Sequence, residues 1–273
     1  MRRLLIILLA LLPFIGSAQD LEQPQASTDS VTQEQKEFVY SMLEQVIIEA
    51  VDSLIQEGMY MQALESLDNL KWEESTGLPV PPRMYMLKAQ IYMLTEEWQQ
   101  LVNATDDCIK SIERIKNNDD PKYISLAALC YSMQGNGYRY INEYKNAIRS
   151  YEKSIGRYND LGDLGSQGEL LCNIAYCYDK LDKPSAASSF YKKGLSKYLQ
   201  YFNKSKENLL QNVLIVDDSF KQAVLDVFGT HLFNMAVFEE NCGDRESSKD
   251  YLLMSAHCGN PTAKSEYKRI YGY

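Results

Sequence analysis

The residues able to do chemistry are few and scattered. The chain of 273 residues holds two histidines, His231 and His257. Neither belongs to an H-x-x-x-H zinc pattern, and no Gly-rich phosphate loop or nucleophile elbow accompanies them. Paired carboxylates stand at Asp106-Asp107 and Glu239-Glu240. Adjacent residues on a helix point in different directions, so such pairs read as solvated surface rather than a general acid and base. An acid pair contributed by two distant helices would leave no mark in the sequence. Six cysteines include no Cys-x-x-Cys pair, the spacing that redox chemistry needs. Cys172 and Cys177 sit too far around one helix for easy bridging, while Cys242 and Cys258 fall near opposite ends of a helix pair. Cys108 and Cys130 are the best-placed couple if a disulfide forms, but free cysteine also serves as a small core residue, and that is the reading for most of the six. The expectation is a non-enzyme with no metal and no cofactor.

Twenty tyrosines are the richest chemical resource. They suggest a carbohydrate face or an aromatic cage, but most fall at helix-packing positions, where the ring buries area and the hydroxyl reaches the edge. Those positions form a ruler. Tyr131, Gly135, Tyr138, Tyr144, Ala147, Tyr151 and Ser154 alternate large and small residues in a way that recurs along the chain. Anchoring on Ala63, Leu101, Ala147, Ala187 and Ser248 brings Leu67, Thr105, Tyr151, Tyr191 and Leu252 one turn later. The next turn brings Leu70, Cys108, Ser154, Gly194 and Ser255. Twelve residues before each anchor stand Val51, Ala89, Gly135, Ala175 and Ala236, followed three residues on by Leu54, Tyr92, Tyr138, Tyr178 and Glu239. Small residues at these points let a second helix approach the first closely.

This pattern resembles the tetratricopeptide family, whose unit is a helix-turn-helix of about 34 residues. The third unit, near 128–160, is the best match, and anchor spacings of 38, 46, 40 and 61 residues imply insertions between units. The tail through Tyr251, Ser255, Ala256, Gly259, Asn260, Ala263 and Tyr267 resembles the related Sel-like repeats. The resemblance covers about residue 35 to the end. It implies an all-α fold, a right-handed superhelical array of antiparallel helix pairs forming an α-solenoid. It also implies a concave groove lined by the first helix of each pair. The positions it selects are Met86, Gln90 and Met93, then Ser132, Asn136, Arg139 and Tyr140, then Glu169, Tyr176 and Asp179. On that mapping Asn136 and Arg139 hydrogen-bond an extended backbone or a carboxylate, Met86 and Met93 give adaptable apolar contact, and Tyr140 and Tyr176 give rigid area.

Helix punctuation agrees with an all-α reading, and no β-alternation of convincing length occurs. Thr32 with Gln35 forms a capping box, Gly58 separates the first pair, and Leu78-Pro79-Val80-Pro81-Pro82 cannot continue a helix. Asp120-Pro121 opens another helix, and Gly243-Asp244 closes one and caps the next. Gly162, Gly165 and Gly168 suggest a flexible loop over 160–168. Residues 204–228 fit no standard repeat and read as an additional or extended helix, serving to close the array, as a lid, or in dimerisation.

The N-terminus bears on location. Arg2 and Arg3 precede an apolar run from Leu4 to Ile15, and Gly16-Ser17-Ala18 supplies small residues for cleavage before Gln19. This reads as a secretory signal over 1–18, with a core too short to span a bilayer. A polar stretch, 19–33, follows as a disordered leader, and the helical repeat domain occupies 34–273. Asp29-Ser30-Val31 and Asp52-Ser53-Leu54 resemble the O-glycosylation acceptor of Bacteroidetes, and Asn103-Ala104-Thr105 is a formal N-glycosylation site. Removing Arg2 and Arg3 moves the formal charge from −9 to −11. Such an acidic product lacks the basic stripe needed for nucleic acid or anionic lipid. The expected role is an exported, periplasmic or cell-surface adaptor that holds a protein or peptide. A subunit of an envelope or secretion assembly, or a module of glycan or nutrient uptake machinery, remains an alternative.

Overall fold

A computed structural model describes residues 33–70, 72–73, 79–213, 216 and 218–272, with side chains from Tyr40 onward. The signal and leader segments, Thr32 of the capping box and Asp29-Ser30-Val31 lie outside the described residues. All regular structure among the described residues is helical. The helices gather into two compact units that divide between Asn118 and Asp119.

In the first unit α1 (Gln33–Gln56) pairs with α2 (Tyr60–Asp68), and α3 (Pro82–Leu94) with α4 (Trp98–Glu113). Leu43, Ile47, Val51, Ala63, Leu67, Trp72, Leu87 and Ile91 form one buried cluster. In the second unit the pairs are α5 (Pro121–Tyr140) with α6 (Tyr144–Leu161) and α7 (Leu164–Lys180) with α8 (Pro184–Phe202). After a short α9 (Lys206–Leu210) come α10 (Ser219–Cys242) with α11 (Arg245–His257), then α12 (Pro261–Tyr271). Residues 204–228 therefore hold α9 and the first turns of α10. Ser205 and Asn208 cap α9 reciprocally, and the His257 ring Nδ1 meets the Leu209 carbonyl at 2.8 Å.

The turns inside the five pairs share one geometry. Each carries a residue at positive φ: Gly58 (74°), Glu96 (60°), Asn142 (63°), Asp182 (56°) and Gly243 (86°). The following amide closes the turn on a carbonyl five residues back, as from Glu143 to Tyr138 (2.8 Å), Glu97 to Tyr92 (2.8 Å) and Asp244 to Glu239 (2.9 Å). The left-handed residue thus reverses the chain while satisfying the carbonyls at the end of the first helix. Asp120, Asp163, Asp244 and Asn260 start helices by accepting backbone N–H groups at 2.9–3.0 Å.

The contact between paired helices also repeats. Ser154 Oγ donates to the Ala128 carbonyl at 2.7 Å and Ser255 Oγ to the Gly229 carbonyl at 2.6 Å. Cys108 Sγ donates to the Pro82 carbonyl at 3.2 Å. In the fourth pair the same place is Gly194, where an added Cβ would lie 3.0 Å from the Gly168 carbonyl and 2.5 Å from Cys172 Sγ. At Gly135 an added Cβ would collide with the Tyr151 ring.

One expectation is corrected by this geometry. Only Gly162 of the expected 160–168 loop reverses the chain, at φ 70°. Gly165 and Gly168 lie inside α7, where Gly168 admits the Tyr198 ring at 3.0–3.1 Å from its missing Cβ. All six cysteines are free thiols, Cys108 and Cys130 included, and all but Cys242 are buried. Burial pushes the Cys177 and Cys258 thiols up to about 12, which keeps them protonated and unreactive at neutral pH.

Gly194→Ala should lower stability by about 1–2 kcal/mol, because overpacking against Cys172 and a backbone carbonyl outweighs the gain in helix propensity. Gly156→Ala, in the same kind of helix but with nothing within 4 Å of the added carbon, should raise it by up to ~1 kcal/mol. Urea midpoints of the two variants should move in opposite directions, and a shift of the same sign would refute this account of the helix contact.

Candidate functional site

The residues expected along a groove divide between the two units. Gln90 and Met93 are half-buried on α3 of the first unit. Met86, on the same helix, is 6 % exposed. Its thioether fills the interior rather than an open surface, which corrects its expected place.

The second unit gathers the others. On α5, Ser132, Asn136 and Arg139 follow each other at i, i+4 and i+7, and so lie along one face. On α7 the corresponding stripe is Glu169, Asn173 and Tyr176. Asn173 did not emerge from the sequence, although its spacing from Glu169 and Tyr176 places it between them. Asp179 is half-buried near the end of the same helix, and Tyr140 is exposed at the end of α5.

The interior holds this face in place. Tyr151 fills the space left by Gly135, and its hydroxyl donates to Asn136 Oδ1 at 2.8 Å. That bond fixes the carboxamide so that its amino group is left to donate elsewhere. The Arg139 guanidinium lies 4.9 Å from the ring centre of Tyr140 and 5.4 Å from that of Tyr176, and Lys180 Nζ lies 5.2 Å from the Tyr176 ring. Two tyrosines from different helices thus hold one cation.

Several polar groups here have no hydrogen-bond partner among the described residues. Arg139 Nε and the Tyr198 hydroxyl are buried with no hydrogen bond. The side chains of Glu169, Asn173 and His231 make no hydrogen bond to any described residue. The Tyr198 ring stacks on Phe228 at 4.4 Å and lies 6.1 Å from His231. Burial pushes the Glu169 carboxyl up from the usual carboxylate range, and Arg139 opposes the rise. Burial, with Arg139 adding to it, lowers His231 to about 4. Arg139 and Glu169 therefore feel each other without forming an ion pair.

Several aromatic residues also serve packing. Tyr151, Tyr191 and Tyr198 are buried, and their hydroxyls are pushed far up by desolvation. Trp72 is buried and Trp98 half-buried. Among the described residues, no three His, Cys, Asp or Glu side chains come together as a metal site, and no helix is long and apolar enough to cross a membrane.

Antiparallel helix pairs with small residues at their contact and a left-handed turn in each make this a tetratricopeptide-like helical repeat fold. Residues 168–196, which span most of α7 and most of α8, match the tetratricopeptide repeat family model. The fold is similar to a solved structure of nearly identical TPR-like repeats from a Podosopora anserina kinesin light chain. That likeness has a TM-score of 0.54 and 12% sequence identity, over 80% of this chain and 95% of the other. No curated protein matches the chain in sequence.

His231 makes stability depend on acid. Its folded value of about 4 lies below the ordinary histidine value, so its cost is absent above about pH 6.5 and complete below about pH 4. Between pH 7.5 and pH 5 this one group should remove about 2 kcal/mol of stability. His231→Gln should abolish that part of the loss in urea melts at the two pH values. Glu169, present in both proteins, contributes with the opposite sign and cancels in the comparison. An equal loss in both proteins would show that His231 titrates as a solvated group.

Proposed function

We propose that this protein is a non-catalytic, exported adaptor that holds a peptide or an extended segment of another protein along the first-helix face of its repeats. The observation that carries the reading is the Ser132–Asn136–Arg139 and Glu169–Asn173–Tyr176 face, where Tyr151 positions the Asn136 carboxamide from the interior while Arg139 Nε and the Glu169 and Asn173 side chains make no hydrogen bond to any described residue. Stacked helix pairs of this kind build extended concave binding surfaces. Donors spaced along two neighbouring helices match the repeating carbonyls of an extended chain.

Export is supported by the charged, apolar and small-residue succession over Met1–Gln19. It places the adaptor in the periplasm or at the cell surface of a bacterium, of the Bacteroidetes if the acidic-Ser-aliphatic tripeptides are used. The turn at Gly259–Asn260, which leads from α11 into α12, supports the Sel-like character of the C-terminal end. The acidic charge favours a protein partner over nucleic acid.

One observation favours a second reading, a permanent subunit of an envelope assembly. Phe220 is 68 % exposed, and Val213 and Val227 nearby are also exposed. They lie in the segment that fits no repeat and offer apolar area to a fixed neighbour. A glycan-binding role draws no such support, because one of the two tryptophans is buried.

The test is recovery of the tagged protein from its own host after mild crosslinking, beside an Asn136→Ala/Arg139→Ala double variant and a Phe220→Ser/Val227→Ser variant. The adaptor reading expects an abundant partner to disappear in the first variant and persist in the second. The reverse pattern would replace it with the assembly reading.

A further inference from the structure

We propose that the groove between α11 and α12 is a docking site of its own, for an extended segment of a partner protein that carries an apolar residue between two carboxylates. The groove shares no residue with the first-helix face of α5 and α7, and the inference does not rest on the peptide reading of that face.

Antiparallel packing creates the groove. The chain turns back at Gly259, whose φ is 92°, and α11 and α12 leave a cavity of about 680 Å³ between them. Its floor is apolar, from Leu253 and Ala256 of α11 and the buried Tyr267 of α12. Its basic groups lie toward two ends. From the first half of α11, Lys249 reaches across to the end of α12, where its Nζ lies 4.8 Å from the centre of the Tyr271 ring. Lys264, in the opening turn of α12, and His257, the last residue of α11, line the same cavity toward the other end. Seven residues of helix separate Lys264 from Tyr271 and eight separate Lys249 from His257, so the two ends are roughly 10–12 Å apart.

Charge and length select the occupant. The chain carries 37 acidic against 28 basic residues, yet no Asp or Glu lines this cavity. The acids beside it in sequence are committed elsewhere, Asp250 to Lys206 at 3.0 Å and Glu266 to Arg269. Lys249 and Lys264 form no ion pair among the described residues, and the ring under Lys249 holds it without cancelling its charge. An extended chain advances about 3.3 Å per residue, so carboxylates three or four residues apart reach the two ends while a residue between them covers the apolar floor. His257 Nδ1 donates to the Leu209 carbonyl at 2.8 Å, which fixes the ring, and the Asn212 side chain makes no hydrogen bond among the described residues. The imidazole Nε2 and the Asn212 carboxamide are left to meet peptide groups of the occupant. A long polyanion would be repelled by the acidic remainder of the protein on leaving the groove. A short segment is neutralised by the lysines within a screening length of about 8 Å.

The test screens the full-length protein against a bead-bound library of random octapeptides, acetylated and amidated so that no terminal charge competes. The wild-type protein should enrich peptides with two Asp or Glu residues three or four positions apart and an apolar residue between them. Both lysines are exposed, so reversing their charge leaves the interior as it is. Lys249→Glu should exchange one of the two acidic positions for Lys or Arg, and Lys264→Glu the other. Each reversal should weaken the wild-type peptides roughly tenfold. Asn136→Ala/Arg139→Ala should leave these peptides bound, which separates them from any held by the first-helix face. Failure to enrich such peptides, or reversals that leave both acidic positions unchanged or alter the same one, would overturn the acidic docking site. Loss of the peptides in the Asn136→Ala/Arg139→Ala variant would overturn it too, by assigning them to the other face. Lysine-dependent binding to phosphatidylglycerol vesicles, with no peptide enriched, would replace the segment with a lipid surface.

Discussion

The close approach of the second helix to a backbone carbonyl of the first, repeated in four of the five pairs, is the constraint on which the rest of the molecule depends. At that point a backbone carbonyl of the first helix meets the residue 26 positions later: Pro82 with Cys108, Ala128 with Ser154, Gly168 with Gly194, Gly229 with Ser255. Only a small side chain fits there, and where it carries a hydroxyl or thiol it donates to the carbonyl. The approach forces the ring of Tyr151 into the room left by Gly135, and that of Tyr198 against Gly168. Interior shape is therefore set by pairs of one large and one missing side chain, not by apolar volume alone.

This explains why so much of the architecture could be read from the sequence. The large-small ruler records steric contacts, and every anchor from Ala63 to Ser248 is buried, as are Val51, Ala89, Gly135, Ala175 and Ala236. Turn chemistry was legible only in part. Gly58 and Gly243 announced themselves, but Glu96 and Asp182 take the same left-handed conformation with residues that carry no such signal. Conversely, Gly165 and Gly168 suggested a loop because glycine marks both turns and close helix contacts, and the sequence does not say which. The short α9 and its tie to His257 depend on a contact across 48 residues that no local pattern records.

The polar face was legible to a lesser degree. Asn136, Arg139, Glu169 and Tyr176 followed from the repeat register, whereas Met86 followed from the same register and is buried. A register fixes the direction of a side chain, but whether that direction is open depends on what other helices place before it. Asn173, His231 and Tyr198 went unnoticed for the complementary reason. Each occupies a position that usually holds packing residues, and the significance of each lies in what it fails to bond to. Missing partners are a property of the assembled structure.

Tyr151 belongs to both systems at once. Its ring is part of the steel of the building and its hydroxyl grips a fitting on the outer wall, so the two cannot be adjusted separately. A small rotation of α6 against α5 turns the Asn136 carboxamide with it. The same rigid ring would carry a torque applied at the outside back into the interior. The spacing between recognition groups is then graded by helix packing, and a long repeat array under tension or torsion would retune what it holds without any residue being replaced.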